Sequence, residues 1–385
     1  MQKTANMRQM LGAICLLVLC AILVVALWPF HVPVNEVNWL ANENGVRFGR
    51  NGTILSRGEF QTKSSSEPSY TLEICLTPAS GRHWHSIMAF YSEQNHYGFG
   101  FGQTGYDLFL VRHTLDQQGQ WRIAVYVGDV FRKDKTLFVA IAAGLRGTEV
   151  YVNGALARVF PQFRTTARDI TGELIIGTSP VGDAGWPGEL RGLAIYEREL
   201  TPEEIVRNYT AWSRNGGPDP DNVQSAAALY TFDERSGDTV HNRLKSGPDL
   251  HIPTHYMIFD KPLLLPVWKE YSGDWGYWES VVLNIIAFVP LGFFVCSYLS
   301  LSPAPKKPLL IAIFLGGALS LTVEILQAYL PTRESGTTDI ITNTSGTAIG
   351  AMLFNSSWLK ELISKFGLFA IERDAAVQLK SDNVH

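Results

Sequence analysis

The 385-residue sequence predicts a mixed fold: an α-helical transmembrane bundle of about four spans joined to an all-β antiparallel jelly-roll sandwich. Three observations predict it. Long uncharged apolar runs stand near both ends of the chain. The middle carries nearly all the Asp, Glu, Arg and Lys, and that middle reads as short alternating strands. Two solvents are implied, lipid for the ends and water for the middle.

Met10 to Trp28 holds no charged residue, and at ~1.5 Å per helical residue this run covers roughly the hydrocarbon thickness of a bilayer. Residues 10–30 are span one, after a cytoplasmic N-terminus, 1–9. A cleaved signal peptide with Lys3 and Arg8 at its start is the alternative. No small-x-small site follows, however, and Trp28-Pro29-Phe30 suits an interfacial anchor. Trp275, Tyr277 and Trp278 suit a headgroup belt ahead of the uncharged run Val281 to Leu301, and Pro308 to Leu330 is broken only by Glu324. A fourth stretch, rich in Thr, Ser, Asn and Gly, spans only if other helices cover it. Residues 263–358 are thus a membrane domain with spans at about 279–301, 308–330 and 338–358, followed by a cytoplasmic tail, 359–385.

The basic residues set an orientation. Lys3 and Arg8 precede span one, Lys306 and Lys307 separate the second and third, and Lys360 and Lys365 follow the fourth. The positive-inside rule places all three groups in the cytoplasm, with both termini, and holds the middle outside. The net charge of −4 and the lack of a basic patch exclude a general nucleic-acid partner.

The middle, residues 31–262, alternates with period two in Tyr70-Thr71-Leu72-Glu73-Ile74-Cys75 and in Gln120 to Tyr126, punctuated by Gly, Pro, Asn and Asp. Asn153-Gly154 between Val150-Tyr151-Val152 and Ala155-Leu156-Ala157 is a hairpin signal. Cys15, Cys20 and Cys296 lie in apolar runs, so Cys75 has no disulfide partner in the soluble region, and a Cys-based zinc site is excluded.

Val150-Tyr151-Val152-Asn153-Gly154, Leu174-Ile175-Ile176-Gly177, Gly188 to Tyr196 and Leu200-Thr201-Pro202-Glu203-Glu204-Ile205 resemble the C-terminal half of laminin-G-like, concanavalin A-like jelly rolls. Leu229 to Gly237 resembles an opening strand of that family, yet follows the closing helix. Either the strand order is permuted or this segment completes the sheet from the other end. The resemblance implies binding of carbohydrate or protein, with calcium in some members. Asp233 is the candidate calcium ligand. Trp84 and Trp186 are the aromatics that would stack on a sugar, although a core role suits each as well. His83 and His85 share a strand face without a third ligand, which reads as surface rather than metal site.

Asn284 to Gly292, then Glu324-Ile325-Leu326-Gln327, Arg333, and Asp339 to Gly346 with Gly350 resemble the motif series of the VanZ-like membrane family. That resemblance implies a bacterial envelope protein, and one founding member of the family is associated with glycopeptide-antibiotic resistance. Such domains have a further span before the Asn-bearing one. Pro262 to Trp268 is too short and proline-rich to supply it, so span one fills the gap and the β domain is an insertion. Three separate tethered modules are the alternative.

By depth, Asn284, Glu324, Gln327, Arg333, Asp339 and Asn343 all fall in the outer leaflet, a candidate intramembrane polar site. A charged group within a span costs about 3 kcal/mol at the centre unless partnered. Arg333 is the expected cation for Glu324. Helix packing alone is the competing explanation, as for Gly346-x-x-x-Gly350. Gly316-Gly317 and Gly350 also leave faces for a homo-oligomer.

These features point to an inner-membrane binding protein. Its jelly roll would take a surface glycan or cell-wall component, and its polar site a lipid or lipid-linked amphiphile. The alternatives are an intramembrane enzyme on an anionic lipid-linked substrate, with Glu324 as acid or base, and a scaffold without a ligand. No Ser-His pair, metal motif or phosphate loop supports an enzyme. Four spans show no internal repeat of the transporter kind.

Overall fold

The computed structural model describes residues 2–61, 69–80, 83–92, 98–116, 119–132, 135–182, 185–244, 246–259, 261–273, 275–301 and 306–357. Lys360, Lys365 and the end of the fourth expected span at Trp358 lie outside them. The chain forms two compact units, one of Met1–His31 with Pro262–His385 and one of Val32–Lys261. The helices in chain order are α1 (Gln2–Leu27), α2 (Pro202–Asn215), α3 (Pro220–Val223), α4 (Val267–Glu270), α5 (Trp275–Ser300), α6 (Pro308–Gln327) and α7 (Thr337–Asn355).

The middle unit is an antiparallel sandwich. Its strands are β1 (Val37–Trp39), β2 (Val46–Phe48), β3 (Ile54–Ser56), β4 (Tyr70–Thr77), β5 (Trp84–Tyr91), β6 (Phe99–Thr104), β7 (Asp107–Asp116) and β8 (Gly119–Val127). They continue with β9 (Leu137–Gly144), β10 (Gly147–Val152), β11 (Ala155–Phe160), β12 (Glu173–Ile176), β13 (Glu189–Tyr196), β14 (Ala226–Tyr230), β15 (Thr239–Val240) and β16 (Leu250–His251). One sheet runs β1-β2-β13-β4-β9-β10-β11 and the other β15-β16-β3-β12-β5-β6-β7-β8.

Alternation explains the layers. Tyr70, Leu72, Ile74 and Leu76 of β4, with Val139 and Ile141 of β9 and Leu193 and Ile195 of β13, point into the core between the sheets. Their neighbours Cys75, Phe138, Ala140, Ala194 and Tyr196 point outward, where Ile205 and Trp212 of α2 cover them. The central strands β4, β9 and β13 are therefore buried on both faces, while the edge strand β11 is exposed. Helix α2 starts on a capping box, Thr201 with Glu204, has Pro202 in its first turn, and stops at Gly216 in the left-handed conformation (φ 68°).

The segment after α2 completes the sheets from the far end: β14 pairs with β13 over Leu193 to Tyr196, and β16 pairs with β3. The Asn-Gly hairpin forms between β10 and β11, with Asn153 at φ 50° and Gly154 at φ 79°. Trp186, read from sequence as a sugar-stacking candidate, is fully buried instead, its indole N–H donating to Gln103 Oε1 at 3.2 Å. Trp84 lies stacked on Phe109, ring centroids 4.5 Å apart.

Under α2 lies a carboxylate that the alternation alone marks as outward-facing. Glu73 of β4 is buried and accepts from Asn208 Nδ2 at 2.7 Å, Trp212 Nε1 at 3.1 Å and Tyr196 Oη at 3.2 Å. Burial pushes its pKa from 4.5 up to about 7, the three hydrogen bonds opposing that shift. Between those values the folded state holds a proton that the unfolded chain has lost, so stability falls as pH rises, by about 3 kcal/mol at most. Glu73→Gln is expected to flatten this dependence, gaining on the wild type between about pH 5 and pH 8. Thermal melts at the two pH values check it; parallel curves for both proteins would contradict it.

In the other unit, α1, α5 and α6 are long and apolar enough to cross a membrane. Helix α7, at 19 residues, is as long as a span but less apolar. Its Thr342, Asn343, Gly346, Thr347 and Gly350 are buried, so the polar face is covered by protein. A Cβ on Gly346 would overlap the Ile285 carbonyl oxygen and one on Gly350 that of Val289, so α5 and α7 run parallel in backbone contact. Helix α1 runs antiparallel to α5, with Ile22 against Phe288 and Gly12 against Tyr298. Gly346→Leu is expected to force α5 and α7 apart, costing about 1–3 kcal/mol. Detergent melting monitored by size exclusion measures it, and an unchanged profile would rule out this contact.

Candidate functional site

Four helix ends meet at one end of the membrane unit: the C-termini of α1 and α6 and the N-termini of α5 and α7. Every helix end leaves backbone groups without intrahelical partners, and in lipid no water supplies them. The polar residues read from the sequence lie at these ends, in three groups.

The first group fastens α1. Arg333 donates from Nε and Nη2 to the Trp28 carbonyl at 3.0 and 2.6 Å and from Nη2 to Val25 O at 3.2 Å, while Gln327 Nε2 donates to Ala26 O at 2.9 Å. The expected Arg333 to Glu324 pair is replaced by these carbonyls. A guanidinium at a helix C-terminus satisfies orphan acceptors and meets the negative end of the dipole at once. The second group caps α7. Glu324, buried, accepts the Gly336 N–H at 2.7 Å, and Glu270 accepts the Thr338 N–H at 2.8 Å as well as the Thr338 hydroxyl. Asn284 Nδ2 donates to Asp339 Oδ1 at 2.7 Å, tying α5 to the first turn of α7. In the third group, deeper between α6 and α7, Asn343 Nδ2 donates to Ser320 Oγ at 2.9 Å, and Asn343 Oδ1 is buried without a partner among the described residues.

A cavity of about 480 Å³ opens beside the α7 cap, with Lys269, Glu270, Tyr277, Ser280, Glu334 and Asp339 in its wall. Of the six residues singled out in the sequence, only Asp339 reaches it. Glu270 and Lys269, on the short α4, went unnoticed because one helical turn has no periodicity to read. The signal for them was a base and an acid six and five residues ahead of the aromatic run Trp275 to Trp278. Trp28, Trp268, Trp275 and Tyr329, all exposed, surround this end of the unit as an aromatic belt would.

In the β unit, Asp233 lies against the Arg243 guanidinium, so the candidate calcium ligand already has a cation. No group of three or more His, Cys, Asp or Glu side chains fit to hold a metal occurs among the described residues. His85 Nδ1 lies 2.6 Å from the Gly185 carbonyl.

Two family models match the chain. Residues 229–360 match VanZ/LLP1, and residues 49–206 match the concanavalin A-like lectin/glucanases superfamily. The chain therefore joins a VanZ-like segment to a concanavalin A-like domain. The VanZ-like match begins in β14, within the β unit, and runs on through α7. With three apolar helices, this is a membrane protein.

No curated protein matches the chain. Among solved structures, the receptor binding domain of botulinum neurotoxin mosaic serotype C/D is 13% identical over 49% of this chain and 48% of that one, with TM-score 0.38. The binding domain of botulinum neurotoxin serotype D/C VPI 5993 is 14% identical over 48% of this chain and 47% of that one, with TM-score 0.35. This chain thus spans about half the length of either. The Ruminococcus gnavus IT-sialidase CBM40, bound to α2,3-sialyllactose, is 14% identical over 43% of this chain and 95% of that one, with TM-score 0.32.

Arg333→Ala removes the guanidinium donors from the Trp28 and Val25 carbonyls and is expected to cost about 1–3 kcal/mol. The last turn of α1 should then loosen, seen as faster proteolysis between residues 24 and 31 in detergent. Equal cleavage rates in variant and wild type would contradict this role.

Proposed function

We propose that this protein is a cell-envelope binding protein of the inner membrane. Its β domain takes a surface glycan or cell-wall component outside, and its VanZ-like unit takes the polar head of an amphiphile in the outer leaflet. The observation that carries the membrane half is the cavity at the helix ends. Its wall combines Glu270, Glu334 and Asp339 with Lys269, and exposed Trp268 and Trp275 stand at the same end of the unit. Such a lining favours a head group with an amine, which the acids accept, over a bare phosphate. Arg333, which an anionic substrate would need, holds the carbonyls of α1 instead.

In this reading α7 crosses the bilayer as a fourth span, shielded by α5 and α6, and both termini are cytoplasmic. The concanavalin A-like match supports the glycan half, and the reading extends to envelope defence of the glycopeptide-resistance kind.

Native mass spectrometry of the full-length protein in detergent tests the membrane half. An amine-bearing lipid should remain bound, and Glu270→Gln with Asp339→Asn should lower its occupancy about tenfold, the loss of one to two charge-assisted hydrogen bonds. Lipid retention equal to the wild type would remove the cavity as its site. For the β domain, the full-length protein is applied to a glycan array, and no binding with or without calcium would sink the glycan half.

A further inference from the structure

Of the two aromatics weighed for sugar stacking, Trp186 lies in the core and Trp84 stacks on Phe109. The β unit nonetheless has a second surface built like a small-ligand site. Helix α2 covers the outer face of the first sheet only as far as Gly216, where the left-handed turn ends it. Beyond that stop, the ends of β4, β9 and β13, the Asn153-Gly154 turn and the loop carrying Glu43 and Asn44 enclose a cavity of about 610 Å³. That volume is ordinary for a small-molecule site.

Tyr209, half-buried, offers an aromatic edge over a floor of the buried Leu137, Phe138 and Trp212, and Asn44, Asn153, Ser213 and Asn215 supply neutral polar groups around it. An aromatic edge ringed by amide and hydroxyl groups complements a sugar ring, whose C–H face is edged by hydroxyls.

The charge of the site narrows the ligand. Its one cation among the described lining residues, Arg191, is held by Glu43 and by Glu189 at 2.9 Å, and Glu189 also pairs with Arg47 at 2.7 Å, so the two arginines and two glutamates balance. A phosphate, sulfate or carboxylate would have to compete with those pairs.

The site is also held in place before any ligand arrives. The backbone N–H of Phe138 donates to Asn153 Oδ1 at 3.0 Å, which fixes the carboxamide and leaves its NH₂ as the donor. A Cβ on Gly154 would come within 2.9 Å of the Tyr209 ring, so turn and ring are locked together. Such rigidity lowers the entropy lost on binding.

We propose that this cavity is the saccharide site of the β domain and that it takes an uncharged sugar. The assignment rests on the glycan reading given above and names its place and its ligand class.

The test uses the full-length protein in nanodiscs on an array of neutral and acidic glycans, with two variants. Ser213→Trp, at an exposed rim position, fills the cavity mouth; Glu203→Trp places the same bulk at the far end of the same helix. The wild type should bind neutral glycans. Ser213→Trp should weaken that binding at least tenfold with its melting temperature unchanged, and Glu203→Trp should bind as the wild type does. If neutral glycans bind all three proteins equally, the site lies elsewhere and this assignment falls while the glycan reading stands. If only acidic glycans bind, the uncharged ligand class is overturned. If none bind, the glycan reading itself fails and this assignment with it.

Discussion

The membrane unit depends on what happens to the last carbonyls of α1. This helix is separated from the other three by more than 200 residues of β domain, and the Arg333 to Trp28 bond closes a sequence gap of 305 residues. A helix end in lipid cannot leave its carbonyls bare. Arg333 and Gln327 answer that need from the far end of the chain, and in doing so they determine that α1 belongs with α5, α6 and α7 rather than acting as a separate tether. The same requirement at the opposite polarity explains Glu324 and Glu270 at the start of α7. Charges that look catalytic in a span are here placed by the backbone's own unsatisfied groups.

Once the helix ends are fastened, the chemistry available for binding shifts outward. Glu324, Gln327 and Arg333 hold backbone, and Asn343 sits deeper against Ser320. Asp339, Glu334 and Lys269 stand around the cavity beside the cap, and Glu270 both caps α7 and lines that cavity. The β unit repeats the theme in water. Its helix α2 buries one face of a sheet, leaves Glu73 without a cation beneath it, and ends early enough to open a cavity at its C-terminus.

The two kinds of element were legible because their signals are periodic or compositional. Apolar runs marked α1, α5 and α6, and period-two alternation marked β4 and β8. What escaped was whatever depends on a partner that residue types do not reveal. Arg333 suggested Glu324 because charge is visible in a sequence and a bare carbonyl is not. Glu73 drew no notice, since only α2 crossing the outer face makes it buried. Trp186 stayed open between sugar platform and core side chain until the buried Gln103 was seen to accept its indole N–H. The return of β14 to the edge of β13 stayed open because both placements satisfy the same alternation.

The claim on which the rest stands is that both ends of the chain build one membrane unit. A disulfide trap in native membranes tests it most directly, pairing Ala26→Cys with Gln327→Cys, whose parent residues are joined by a hydrogen bond of 2.9 Å. The account predicts rapid, near-complete cross-linking under mild oxidation, identified in the peptide joining α1 to α6. Absence of that cross-link in a correctly inserted protein, while Phe288→Cys and Ile22→Cys also fail to join, would show that the first helix stands apart.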